Sequence, residues 1–252
     1  MPAHPYLSPV GPRVLAHRGL ATEAPENTLL AFAHALAVGV THLETDVHAS
    51  RDGVAVIAHD SELERVAGRP GAVADLDARA LGQLDLGGGH GMPSLDEALE
   101  AFPEARFNID VKSAAAIAPT AEAVRRHRAE HRVLLTSFSE KRRAAAVRLA
   151  PGVASSASCA RFATALLAAR LGLHPVARAA LAGLHAVQIP ERALGIETTS
   201  PPLLRAFQGA GLEVHVWTVN DPTTMRRLLE RGVDGIVTDR ADLAVEVLRS
   251  LA

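Results

Sequence analysis

Four short stretches of the chain concentrate ionisable groups of complementary chemistry: His17-Arg18-Gly19, Glu44-Thr45-Asp46, His59-Asp60 and Asn108-Ile109-Asp110-Val111-Lys112. Glu44 and Asp46 alternate with one residue between them, as do Asp110 and Lys112, so on a β-strand each pair points to one face. Three carboxylates (Glu44, Asp46, Asp110) converging on one hollow repel each other unless a cation sits among them. Oxygen donors without cysteine favour a hard ion, Ca2+ or Mg2+, over zinc. Arg18 and Lys112 add fixed positive charge, which suits an anionic, oxygen-rich group and above all phosphate. His17 and His59 supply two imidazoles, one to accept a proton and one to donate it. That set points to phosphodiester cleavage rather than phosphoryl transfer from a nucleotide, and no Walker-type Gly-rich lysine loop is present.

Elements with short β-type runs and Ala/Leu/Arg-rich helical runs must position these groups. Strands are expected at Val14–His17, His42–Val47, Val54–His59, Arg106–Val111, Val133–Phe138, Val153–Ala157, Ala186–Ile189, Glu213–Val219 and Gly235–Thr238. Helices are expected around 28–38, 94–101, 114–130, 140–149, 160–171, 202–210, 223–230 and 241–251, the first capped by Asn27 or Thr28. Such alternation implies parallel strands with crossover helices. Only the Arg51-Asp52-Gly53 turn separates the second run from the third, so Val54–His59 returns antiparallel as a hairpin and lies outside the barrel count. Eight strands remain, giving an α/β fold: a (β/α)8 TIM barrel with an extra hairpin strand and a loop-rich insertion at about 60–93. In such barrels the working groups sit at the C-terminal strand ends. A two-residue turn at Asp52-Gly53 pairs Asp46 with His59 and delivers the imidazole beside the carboxylates; a one-residue slip would put it on the other face.

Composition agrees. The chain has 252 residues, 48% hydrophobic and 21% charged, which excludes wholesale disorder and fits one barrel domain over 1–252. With 26 basic and 28 acidic residues the net charge is −2, which gives no support to nucleic-acid or anionic-membrane binding. The single Cys159 excludes a disulfide framework and reads as a small buried or half-buried apolar residue. Residues 1–10 lack an apolar leader core, and the longest apolar-looking stretch, 162–187, is interrupted by Arg170, His174, Pro175, Arg178 and His185. A cytoplasmic protein without stable membrane insertion is expected. His48, His90, His127 and His131 read as surface or insertion residues, and Phe138 divides evenly between core and pocket.

The ordered set of motifs resembles the glycerophosphodiester phosphodiesterases. The resemblance runs through His17-Arg18-Gly19, Pro25-Glu26-Asn27-Thr28, Glu44-Thr45-Asp46-Val47, Arg51-Asp52-Gly53, His59-Asp60, Pro93-Ser94-Leu95, Asn108–Lys112, Val216–Asn220 and Gly235–Asp239, and so covers most of the chain. It implies a phosphatidylinositol-phospholipase-C-like barrel that hydrolyses glycerophosphodiesters to glycerol 3-phosphate and an alcohol. It implies a divalent cation on Glu44, Asp46 and Asp110, His17 and His59 as the acid–base pair, Arg18 and Lys112 on the phosphate, and Trp217 on the pocket wall. Family members usually have Glu where Asp110 stands, one methylene longer, so the third ligand would act at an altered distance or through water. Two other readings remain: a lysophospholipase D or sphingomyelinase D-like enzyme, for which the aromatic content of 3% gives little sign of an apolar groove, and a barrel that binds phosphorylated ligands without turnover. The sequence leaves the oligomeric state open.

Overall fold

The computed structural model describes residues 4–251; the part of the leader reading that falls on residues 1–3 lies outside them. Eight parallel strands form the barrel: β1 (Arg13–His17), β2 (His42–Ala49), β4 (Arg106–Val111), β5 (Val133–Thr136), β6 (Ala154–Ser155), β7 (Ala186–Ile189), β10 (Glu213–Val216) and β11 (Gly235–Thr238). Their order is β6-β5-β4-β2-β1-β11-β10-β7, and a parallel bridge between Ser156 and Ala186 joins the two ends of the ring. The main helices are α1 (Leu29–Ala37), α4 (Leu95–Ala101), α5 (Ile117–Arg126), α6 (Glu140–Leu149), α7 (Cys159–Arg170), α9 (Pro201–Gln208), α10 (Pro222–Glu230) and α11 (Ala241–Leu251). Thr28 caps α1, its hydroxyl accepting from the Ala31 amide. The helices bury one face each on the sheet, with Phe32, Phe107, Phe207, Val214 and Leu228 in the shared core. Inside the ring Gly235 is required, because a Cβ there would stand 2.7 Å from the His215 ring.

Strand β2 is the longest and overhangs the rim. Its last residues pair antiparallel with β3 (Ala55–Ile57), off the barrel path as expected. The register differs from expectation: Val47 faces Ile57 and Ala49 faces Ala55, so Asp46 lies opposite Ala58 and not His59. The cause is the turn. Ser50 bonds Val54 across a three-residue loop, with Gly53 at φ +80, rather than closing a two-residue turn.

The segment that reads as loop-rich holds α2 (Glu64–Ala67), a 3-10 turn at Val73–Asp75 and α3 (Ala78–Gly82). Leu63, Val73, Leu81 and Met92 bury themselves against Val56 and Ala58 as a cluster apart from the main core. Two further additions were not legible in the sequence: α8 (His174–Leu181) after α7, and a small hairpin of β8 (Arg192–Ala193) and β9 (Ile196–Glu197) after β7. Among the described residues no helix is long and apolar enough to cross a membrane.

Candidate functional site

The strand ends open on a cavity of about 420 Å³ lined by His17, Arg18, Glu44, Asp46, His59, Asn108, Asp110, Lys112 and Trp217, among others. Every residue singled out for the site thus borders one hollow. His59 does so despite the slipped register, because β3 ends at Ile57 and the strand's alternation no longer governs a residue in the bend that follows.

Register explains the carboxylate face. In the β2–β4 ladder Glu44 pairs with Asn108 and Asp46 with Asp110, which places all four side chains on the inner side of the mouth. Lys112 continues β4, and its Nζ lies 2.8 Å from Asp46 Oδ1 and 2.7 Å from Asp110 Oδ2. These carboxylates outweigh burial and raise the Lys112 pKa, so it stays charged. Burial, reinforced by the Asp46 carboxylate, pushes Glu44 up to about 8. Burial also raises Asp110, against the pull of Lys112.

Each imidazole is held by a carboxylate. His17 Nδ1 donates to Asp239 Oδ1 at 2.6 Å, and its Nε2 stands 3.8 Å from Glu44 Oε2. Burial opposes the charged form of His17, but the Asp239 bond and the field of Glu44 prevail and raise its pKa. Asp239 is itself oriented by Asn220 Nδ2 at 2.7 Å. His59 Nδ1 donates to Asp60 Oδ1 at 2.7 Å; Arg65 grips Asp60 and reaches Glu26 at 2.7 Å, and Glu26 accepts from Arg18 at 3.1 Å. A chain of alternating charge therefore connects His59 to Arg18.

The backbone around Arg18 is unusual. Arg18 and Asn27 both have φ +58, a region that L residues seldom occupy, and the Asn27 amide donates to the Arg18 carbonyl. Gly19 allows this fold-back, since a Cβ there would lie 2.7 Å from the Ala31 carbonyl carbon.

Asp239, Asn220, Asp60, Glu26 and Arg65 received no role from the sequence. The signal that finds Asp239 and Asn220 is the strand-end rule already applied to the first strands, since they follow β11 and β10. Two sequence readings are corrected. His48 is buried on β2, with Nε2 3.2 Å from the His59 carbonyl. Cys159 is exposed at the cavity rim, because it opens α7 instead of facing the core.

Whether the site suits a cation is testable on its own atoms. Among the described residues no three acidic, histidine or cysteine side chains enclose a ready-made metal cage, and the Lys112 ammonium stands between Asp46 and Asp110. Yet Asp110 Oδ1 and Asn108 Oδ1 are buried without hydrogen-bond partners, and burial beside Asp46 makes the Glu44 carboxyl resist ionisation. Orphaned hard oxygens beside crowded, buried carboxyls fit a hard divalent ion.

The far side of the cavity differs. Thr136, Phe138, Phe162, Gln188, Pro190, Leu194 and Trp217 wall it. Phe138 lies edge-on to Trp217 at 6.2 Å, and Lys112 Nζ stands 5.7 Å from the Phe138 ring centre. An apolar wall is therefore present despite the low aromatic content, because a few rings gather at one rim.

Comparison with known proteins gives a consistent result. The sequence model of the glycerophosphoryl diester phosphodiesterase family matches residues 17–243. A Mycobacterium tuberculosis protein named probable glycerophosphodiester phosphodiesterase 2 is 43% identical over 98% of this chain and 94% of its own length. A Caldanaerobacter subterraneus glycerophosphodiester phosphodiesterase is 28% identical over 94% of this chain and 97% of its own. The crystal structure of the Agrobacterium tumefaciens glycerophosphodiester phosphodiesterase superposes with a TM-score of 0.79 at 28% identity, covering 94% of this chain and 99% of that one.

Proposed function

The chain belongs to the glycerophosphoryl diester phosphodiesterase family, and from that membership we propose that its mouth hydrolyses a glycerophosphodiester to glycerol 3-phosphate and an alcohol by acid–base catalysis between His17 and His59. The observation that carries this reading is the pair of imidazoles, each fixed by its own carboxylate, on one cavity that also holds Arg18, Lys112 and three acids.

Asp239 accepts a hydrogen bond from the Nδ1–H of His17, fixing the proton on that nitrogen, and so leaves the Nε2 lone pair free toward the mouth. His17 is the base that removes the proton of the attacking hydroxyl, which is either water or the 2-hydroxyl of the glycerol. His59, oriented by Asp60, gives a proton to the departing alcohol. Arg18 and Lys112 offset charge that grows on the phosphoryl oxygens, and their fixed partners keep them in place before substrate arrives. Trp217 lines the substrate. Glu44, Asp46 and Asp110 would hold a divalent cation, Ca2+ or Mg2+, which supplies Lewis-acid polarisation of the diester when bound.

A matrix of diesters against Ca2+, Mg2+ and Mn2+, with product identified, tests the reading. Release of glycerol 3-phosphate that stops with chelator and returns with one of these ions supports it. Inertness of folded protein across the matrix returns the chain to a non-catalytic phospho-ligand barrel.

A further inference from the structure

Charge is spread unevenly along the chain. Residues 141–190 contain seven Lys and Arg and no Asp or Glu, so the net −2 divides into +7 there and −9 in the rest. A net charge near zero therefore conceals one basic sector of the barrel, the helices α6, α7 and α8. Arg143 and Arg161 meet the Glu140 carboxylate at the edge of this segment. Among the described residues Arg170 and Arg178 form no ion pair, and both are exposed.

The same segment gathers exposed apolar side chains. Single ones need no explanation, but four of the nine large ones found exposed among the described residues stand about one turn of chain: Leu167, Leu171, Leu173 and Val176, with Leu171 at 73%. Arg161, near the start of α7, donates to the Ala180 and Ala182 carbonyls at the end of α8, both at 2.6 Å. The two helices thus form an antiparallel hairpin whose turn, residues 171–173, is its free end, roughly 18 Å along α7 from Cys159 at the cavity. That turn is closed by its own bonds. Gly172 has φ +72; its amide donates to the Ala169 carbonyl at 3.1 Å, and the Leu173 amide donates to the Ala168 carbonyl at 2.8 Å. Both carbonyls are satisfied without water, and a defined turn displays Leu171 and Leu173.

We propose that the α7–α8 turn docks the protein reversibly on the surface of an anionic phospholipid bilayer. Leu167, Leu171, Leu173 and Val176 enter the headgroup layer, and Arg170 and Arg178 lay their stems beside them with the guanidinium groups on lipid phosphates. Other partners fit one property only. Nucleic acid would satisfy the arginines but leave four aliphatic side chains in water, with no Phe, Tyr or Trp at the turn to stack on bases. A second copy across a two-fold axis would cover the apolar side chains but bring Arg170 and Arg178 against like charges. A bilayer takes up both, and helix-end carbonyls bonded internally lower the cost of leaving water. Neither helix is long enough to span a bilayer, so the contact is peripheral. It is independent of the hydrolase reading, since no step of the reaction enters it.

The test sediments the whole chain, without substrate, with vesicles of phosphatidylcholine alone or with roughly a third phosphatidylglycerol. The expected result is binding to the anionic vesicles only, released as salt rises to about 0.5 M. Arg170→Gln and Arg178→Gln each weaken partitioning roughly fivefold, and Leu171→Ser or Leu173→Ser roughly tenfold, all with an unchanged thermal midpoint. Arg79→Gln, an exposed arginine on α3 of the insertion, leaves binding as it was. Absence of binding to anionic vesicles overturns the proposal. So does equal binding to both vesicles, full binding by the two serine variants, or a loss in Arg79→Gln equal to that in Arg170→Gln, which makes the attraction diffuse. A dimer in light scattering that Leu171→Ser dissolves also overturns it, since the turn is then an interface between copies. Diester turnover is read separately, so failure of the hydrolase reading leaves this outcome untouched.

Discussion

Strands β1, β2 and β4 end at the mouth in charge, whereas β5, β7 and β10 lead into Phe138, Pro190 with Leu194, and Trp217. The charged half is a mesh. His17, Asp239 and Asn220 hold one another, as do His59, Asp60, Arg65, Glu26 and Arg18. The apolar half has few such bonds and is extended by pieces added after β6 and β7, namely α7 with α8 and the β8–β9 hairpin. Fixed dipoles and charges stabilise a transition state only when they are already in place, while an apolar wall contributes by burial whatever its fine geometry. Chemistry and substrate affinity are thus expected to separate by side of the barrel.

The sharpest way to break that division is at the imidazoles. His59→Ala and His17→Ala are each expected to lower kcat by about 100- to 10,000-fold with an unchanged thermal midpoint; near-normal turnover in His59→Ala would remove it from the chemistry. Asp239→Asn follows, with a loss of roughly tenfold to a hundredfold, smaller than for a buried triad acid because Asp239 is half exposed. Asp239 helps to raise the His17 pKa, so its loss lowers that pKa. A base works in its neutral form, and the acidic limb of the kcat/KM profile should move to lower pH. A shift of the alkaline limb instead would make His17 the acid.

Asp110→Asn is expected to weaken half-saturation by the activating cation about tenfold, the lower end for disturbing a metal's surroundings; an unchanged cation titration would take Asp110 out of the ligand set. On the opposite wall Trp217→Ala should raise KM several-fold, roughly threefold to tenfold, with kcat nearly constant. A matching fall in kcat would erase the distinction between the halves. The smallest effect belongs to Leu194→Asn. Relief of its positive φ should add about 0.5–1 kcal/mol of stability, read as a higher denaturant midpoint at constant slope.

Much of the scaffold was legible locally. Arg106–Val111, Ala186–Ile189 and Gly235–Thr238 form strands at the bounds that their β-branched runs suggest, and Glu140–Leu149 forms the expected helix. Glu213–Val219 ends early, at Val216, although the Trp217 and Val219 amides still donate to the Ile189 and Val237 carbonyls of the flanking strands. The hairpin was legible as a hairpin but not in register: Asp-Gly signals a turn without stating whether Arg51 belongs to the loop or the strand. His59 nevertheless borders the cavity, since strand parity lapses in the bend beyond Ile57. Cys159 and His48 were misread because residue type alone was weighed, whereas helix entry exposes one and the β2–β3 overhang covers the other.

Sequence alone determined which residues end the strands and that acids, imidazoles and basic groups gather among them, because alternation along a strand and turn chemistry are local properties. Tertiary structure alone decided who meets whom. Asp239 reaches His17 across 222 positions of sequence only because the last strand closes against the first. Likewise, an apolar rim faces a charged one only once eight strands have curved into a ring, since contact across a closed barrel leaves no trace in the order of residues along the chain.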